Sequence, residues 1–420
     1  MKKCWLISVN MGYGHQRTAY PLKDIAFKGE IINANDYRGI PKGDRQIWET
    51  TRNIYEFISR FSRIPLVGSA VFSFYDQFQK ILKFYPRRDL SKPTSTLKEI
   101  YAGIKRGWGR HLIEKIKEKP LPFLTTFFTP AFMAEYFNYP GEIFCVVCDA
   151  DISRSWVPLN PKKSRIKYLT PNKRTAERLE LYGVKKGNIF LTGYPLPKEN
   201  IGGKNLKILK IDLKKRLLNL DPESRFFGKY RNFAKETLGK FPEKSGRPLT
   251  LLFSVGGAGA QKDLAPKIIK SLKKELALGK IKIVLSAGKK LEVKEYFEKI
   301  KGKYKNIEIL FNNDISGYFT KFNQCLREAD ILWTKPSELS FYSALGLPII
   351  IAPPIGSQEQ FNMRWLLKSG FGMRQENPAW TNQWLFDWIK QGYLAEAAFE
   401  GFIEGEKMGT YNIEKIIFKQ

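Results

Sequence analysis

The chain has 420 residues, 43% hydrophobic and 27% charged, which allows two or three domains with sizeable cores and excludes a disordered polymer. Lys and Arg number 71 against 41 Asp and Glu, a net charge of +30. Such a balance attracts phospholipid surfaces, nucleic acid or phosphorylated substrates, unless most of it is simply solvated surface lysine. Nothing reads as a signal peptide, and no apolar run reaches the roughly 18 residues of a membrane span, so a cytoplasmic protein is expected. Four cysteines argue against a disulfide framework. Cys145 and Cys148 form a CxxC, but inside an apolar run where strand positions three apart face opposite sides. With His15 and His111 the only histidines, a histidine-rich metal site is excluded.

Residues 5–9 read as a buried first strand and 16–27 as the helix after it. The turn between them holds Gly12, Gly14 and His15, and glycines there let the backbone approach a ligand at a helix start. The GxG spacing alone is not a dinucleotide fingerprint, and a lone His after such a turn can equally serve the helix start. Residues 45–119 carry three amphipathic stripes, Ile47 to Ser62, Val67 to Tyr85 and Leu97 to Ile116, rich in aromatics and flanked by Arg and Lys. Basic helices of this kind suit a membrane interface, or pack on the N-terminal sheet. Strands are predicted at Phe123 to Phe128 and Glu142 to Val147, with a short helix over Pro130 to Tyr136. The second of these strands ends at Cys148-Asp149, where the carboxylate can orient His15, take an acceptor proton, or cap the following turn.

Gly193 to Pro197 reads as a crossing, so residues 1–197 form one domain. Residues 198–248 are Lys-rich and read as an irregular linker, with a surface excursion at 223–247. A second domain spans 249–400. Its first strand, Leu249 to Phe253, delivers Gly256, Gly257, Gly259 and Ala260 straight into a predicted helix start, an arrangement that holds a diphosphate on backbone N–H groups. A dinucleotide cofactor would also want an acid about 20 residues on. Here Ile281 to Leu285 ends instead in Ser286-Ala287-Gly288-Lys289, and no cofactor is expected. Ile307 to Phe311 is another strand. Ile331 to Trp333 ends in a polar turn, Thr334-Lys335-Pro336-Ser337-Glu338, followed by a small-residue helix to Gly346. A buried strand, Ile349 to Ala352, opens into Gly356-Ser357-Gln358-Glu359-Gln360, with a helix from near Asn362. Residues 401–420 read as a last helix.

The stretch 331–372 resembles the donor-binding half of two-domain (GT-B) glycosyltransferases that glycosylate membrane lipids. These include monogalactosyldiacylglycerol synthase, the diacylglycerol glucosyltransferases and the peptidoglycan GlcNAc transferase. Thr334-Lys335, Gly346-Leu347-Pro348 and Gly356-Ser357-Gln358-Glu359 with Asn362 carry the likeness. So do Gly12, Gly14, His15 and Ala19, then Asp149, Trp156, Pro158, Thr170-Pro171, Gly183-Val184, Thr192-Gly193 and Pro195. Two positions depart. The family's ribose-binding Glu would fall at Phe341 or Ser343, leaving Glu338 as the nearby carboxylate, and Ser153 stands where the family has a His.

The resemblance implies an α/β chain of two Rossmann-like domains facing across a cleft, the last helix returning to the first domain. It implies a nucleotide-diphosphate sugar, as a UDP-sugar, held by Gly256, Gly257, Gly259, Ala260, Thr334, Lys335, Ser337, Glu338, Gly356, Gln358, Glu359 and Asn362. His15 or Asp149 would deprotonate an acceptor hydroxyl beside the loop of Gly12 and Gly14. Backbone N–H groups and Lys335 would stabilise the departing diphosphate, so no metal is expected. The expected acceptor is a lipid such as diacylglycerol, at the inner face of an anionic membrane reached through the basic helices, with no nucleic acid involved. Three alternatives stand beside this transferase: a nucleotide-sugar epimerase of the same fold, a non-catalytic nucleotide-sugar binder, and a nucleic-acid binder driven by charge.

Overall fold

The computed structural model describes residues 2–50, 80–256, 259 and 261–419. Gly257, Ala260 and most of the first two amphipathic stripes lie outside the described residues. The chain divides into two compact units: Met1–Leu196 with Ile355–Asn362 and Met408–Gln420, and Pro197–Pro354 with Met363–Lys407.

Each unit is built on one six-stranded parallel sheet. In the first unit the strands are β1 (Cys4–Ser8), β2 (Ala26–Asn33), β3 (Phe123–Thr125), β4 (Ile143–Val146), β5 (Lys167–Thr170) and β6 (Ile189–Leu191), in the order β2-β1-β3-β4-β5-β6. The central strands are apolar on both faces, as a parallel sheet covered by helices requires. Its helices include α1 (Gly14–Ala19), α2 (Ser95–Lys105), α3 (Arg110–Lys117), α4 (Phe128–Tyr136) and α5 (Lys173–Leu181).

The helix predicted over 16–27 stops at Ala19. Pro21 has no N–H to continue the ladder, and the chain tightens into a 3-10 turn, Tyr20–Ile25, before β2, an edge strand the sequence reading missed.

The second unit carries β7 (Leu249–Ser254), β8 (Ile281–Gly288), β9 (Ile307–Phe311), β10 (Ile331–Thr334), β11 (Ile349–Ile351) and β12 (Gly372–Arg374), in the order β12-β11-β10-β7-β8-β9. Residues 198–248 are not irregular. They hold α6 (Lys198–Ile201), α7 (Lys207–Leu220) and α8 (Arg225–Leu238). Leu209, Leu213, Leu217 and Leu220 form a buried stripe on α7 that the surrounding lysines obscure in the sequence. Phe226 and Phe227 of α8, within the expected surface excursion, are buried as well, Phe226 against Phe399 at 5.2 Å between ring centres.

Eight more helices follow: α9 (Leu264–Ser271), α10 (Lys273–Ala277), α11 (Leu291–Lys301), α12 (Ile315–Glu328), α13 (Ser357–Lys368), α14 (Thr381–Lys390), α15 (Tyr393–Glu404) and α16 (Gly409–Ile417). The small-residue helix before Gly346 is a 3-10 segment, Glu338–Leu345. Ile413, Ile417 and Phe418 at the end of the chain join Leu6, Leu124, Phe144 and Leu169 in the core of the first unit. Asn412 and Thr410 of α16 donate to the carbonyls of Thr192 and Leu196 at 2.9 and 2.5 Å. Among the described residues no helix is long and apolar enough to cross a membrane.

Candidate functional site

In an open parallel sheet, ligands bind outside the carboxyl ends of the strands where the winding reverses direction. In the second unit that point lies between β7 and β10, which pair from Ile331↔Leu251 to Thr334↔Ser254. Gly256 follows β7 and Lys335 follows β10. Gly256 has φ +72, and a Cβ added to it would come 3.0 Å from Cε of Lys335, so the lysine stem lies directly over this glycine. Gly259, at φ +66, would meet Val293 at 2.9 Å and the Lys290 stem at 3.9 Å. The stems of Lys335 and Lys290 thus lie against Gly256 and Gly259, two positions whose positive φ favours glycine.

The glycines do not run straight into a helix, as the sequence suggested. The Gly259 N–H donates to the Gly256 carbonyl at 3.1 Å, closing a turn, and α9 begins only at Leu264. Thr334 is fully buried, and its hydroxyl donates to the Ser254 carbonyl at 3.2 Å, tying the two strand ends together. Ser337 is the residue before the 3-10 segment, and Glu338 opens it with 9% of its surface exposed. Phe341 and Ser343, the positions of the missing ribose carboxylate, are packed inside: Phe341 lies against Trp365 at 5.0 Å, and the Ser343 hydroxyl donates to Ser340 O.

In the first unit the winding reverses between β1 and β3. Gly12 takes φ +90 in the turn after β1, and that turn is clamped by Asn35, whose amide accepts from Asn10 N at 2.8 Å and donates to Asn10 O at 3.1 Å. Gly14 and His15 open α1. His15 Nδ1 sits 2.8 Å from the Thr126 carbonyl at the end of β3. This bond fixes the tautomer that makes Nε2 the basic nitrogen. The Thr126 hydroxyl, 3.0 Å from the His15 carbonyl, braces the same residue from the other side. Cys148 Sγ, after β4, lies 3.5 Å from His15 Nδ1. Aromatic rings wall this end of the sheet: Phe127 at 4.7 Å and Trp156 at 6.3 Å from His15, with Phe128 against Trp156 at 5.2 Å.

Asp149, beside Cys148, is half-buried. Its Oδ1 accepts from Asn362 Nδ2 at 3.2 Å, and Asn362 Oδ1 accepts from Ala150 N at 2.8 Å. Asn362 is fully buried and braces the Asp149 turn. The loop beyond is locked by two buried arginines. Arg178 makes a bidentate pair with Asp151 at 2.8 and 2.9 Å, and Arg154 donates to the carbonyls of Ser91, Val157 and Pro158. Ser153, standing where the resemblance has a His, is 4% exposed.

α13 begins at Ser357, not near Asn362. Gly356 therefore precedes the helix, while Gln358 and Glu359 lie in its first turn. Glu359 Oε2 accepts from Ile355 N at 2.7 Å, a carboxylate capping the positive end of its own helix. Among the described residues no group of three or more His, Cys, Asp or Glu is placed to hold a metal ion. Sequence reasoning missed Thr126 and Lys290, and did not place Cys148 beside His15. Thr126 acts partly through a main-chain carbonyl, which leaves no mark in a sequence, whereas Lys290 adjoins the Lys289 already singled out.

A family described as a domain of unknown function (DUF6938) matches residues 240–303. Over 115 residues the chain is 25% identical to monogalactosyldiacylglycerol synthase 1, chloroplastic, of Arabidopsis thaliana, a match spanning 27% of this chain and 20% of the length of that curated relative. Among solved structures, S. aureus MnaA with UDP superposes with a TM-score of 0.50 at 15% identity, covering 100% of this chain and 97% of the other. MurG of Acinetobacter baumannii gives 0.49 at 12% identity, covering both chains completely. Two six-stranded parallel sheets, each wound outward from its centre and flanked by helices, give this chain the two-Rossmann architecture of the GT-B fold.

Proposed function

We propose that the protein is a glycosyltransferase that moves a sugar from a UDP-sugar to a lipid acceptor, such as diacylglycerol, at the cytoplasmic face of a membrane. The observation that carries this reading is the Lys335 stem lying over Gly256 at the reversal point of the second sheet. A diphosphate there would meet a bare backbone and a cation, with Lys290 beside Gly259 offering a second. Glu338, Gly356 and Gln358 are the residues proposed for the ribose and sugar hydroxyls. UDP in the S. aureus relative and the segment shared with the galactolipid synthase are consistent with such a donor.

His15 is the proposed base. Its Nδ1–H is held by Thr126 O, so Nε2 takes the proton of the acceptor hydroxyl as that oxygen bonds to the anomeric carbon and the diphosphate leaves. Asp149, held in place by Asn362, is the second acid–base group. The partly exposed rings of Phe127 and Phe128, backed by the buried Trp156, give an apolar acceptor something to lie against. A nucleotide-sugar epimerase of the same fold is the second reading, and it would take its donor at the same place.

The test is incubation of the purified protein with UDP-sugars, with and without diacylglycerol in vesicles. Glycolipid formed only when both are present supports the transferase. An epimerised sugar or released UDP from donor alone would replace it with the epimerase. His15→Ala is expected to keep donor binding and to lose transfer by a factor on the order of 100 or more.

A further inference from the structure

A strongly basic hollow on the second unit has no part in the chemistry above. Lys207, Lys210 and Lys214 stand three and four residues apart on α7, which sets them along one face of the helix. With Lys204 and Asn205 they line a hollow of about 510 Å3 whose apolar surface comes from Ile211 and Leu238. No carboxylate lines it. Lys214 donates to the Lys240 carbonyl at 3.0 Å, which neutralises nothing.

A hollow of similar size on the first unit shows the contrast. It holds Lys167, Lys415 and Lys419, but Lys167 and Lys419 both pair with Glu142, at 2.5 and 3.6 Å. Like charges one turn apart mildly destabilise a helix, and an anion from outside that joined the three ammonium groups on α7 would relieve this. The helix adds to the field, since its first turn carries no acidic residue and has no side-chain cap, leaving the positive end of its dipole open.

The arrangement is also preformed. Arg216, farther along α7, is 1% exposed and donates to the carbonyls of Leu326, Ala329, Leu345 and Gly346 at 2.7 to 3.1 Å. Leu213 fills the space beside Gly346. The helix that carries the lysines is therefore a fixed scaffold, so a ligand has only their side chains to order. Ile211, 41% exposed beside them, gives the hollow an apolar side.

We propose that this hollow binds a phosphate-bearing anion, the headgroup of an anionic lipid or a free polyphosphate, separately from the donor pocket. The test compares the full chain with Lys207→Glu/Lys210→Glu and with Lys303→Glu/Lys305→Glu, a reversal of equal charge at two exposed lysines of the same unit. Two probes are used: tripolyphosphate by calorimetry, and sedimentation with phosphatidylcholine vesicles, plain or mixed with phosphatidylglycerol. The native chain is expected to bind at least one probe, and the α7 reversal to weaken that binding by about tenfold or more while the control changes it little. Loss with the vesicles alone assigns the site to a lipid headgroup, and loss with tripolyphosphate alone to a soluble anion. Equal loss in the two variants would show a response to net charge only. That result, an unchanged affinity in the α7 variant, or no binding by the native chain would each overturn the proposal. Matching unfolding midpoints for the three proteins would exclude misfolding as the cause.

Discussion

At residue 15 the imidazole is fixed by backbone as much as by side chains. Thr126 O orients Nδ1, the Thr126 hydroxyl reaches the His15 carbonyl, and Phe127 covers one ring edge. His15 could be singled out in the sequence because a glycine turn after an apolar run marks a strand end, but nothing there announced Thr126. Asn362 shows the converse. Its pattern suggested a sugar contact, and the fold instead places it on Asp149 and Ala150, more than 200 positions away in the chain. Replacing Asn362 with Ala orphans the Ala150 N–H and releases Asp149, a loss of about 1–3 kcal/mol that would appear as a lower unfolding midpoint. If the brace is its role, transfer falls while UDP affinity stays as it was. A weaker UDP affinity with an intact transfer rate would restore Asn362 to the donor.

Among the elements, the strands were legible and several helices were not. β9 spans Ile307–Phe311 as predicted, although Glu308 interrupts its apolar run at the sheet edge, and β7 differs by one residue. Fully buried parallel strands are apolar on both faces, so composition alone marks them. α1 is short because of Pro21, and α7 was hidden because lysines at 207, 210, 214 and 215 interrupt its leucine stripe. The segment from Glu338 is a 3-10 turn capped by Gly346, whose φ of +66 no β-branched residue tolerates. A Cβ at Gly346 would meet Leu213 of α7 at 2.7 Å. Gly346→Ala is accordingly expected to cost about 2–4 kcal/mol from strain and overpacking together. A thermal midpoint within error of the native protein would show that α7 is not seated on this turn.

For the whole molecule, the two-sheet α/β architecture follows from alternating apolar runs and helical stretches, and the order of the motifs suggested which sheet holds which chemistry. The route of the chain was harder to read, because residues 355–362 and 408–420 belong with the first unit through packing that only the folded state creates. The net charge of +30 indicated anionic partners without saying where they bind. The two places proposed for them are Lys335 over Gly256 and the lysines of α7. The central claim is that the first of these holds a nucleotide diphosphate. Calorimetric titration of UDP into the native protein and into Lys335→Ala tests it most directly. Loss of one charge-assisted contact of about 1.5–3 kcal/mol should weaken binding by roughly ten- to a hundredfold. The same Kd for both proteins, or no UDP binding by the native chain, would contradict the account.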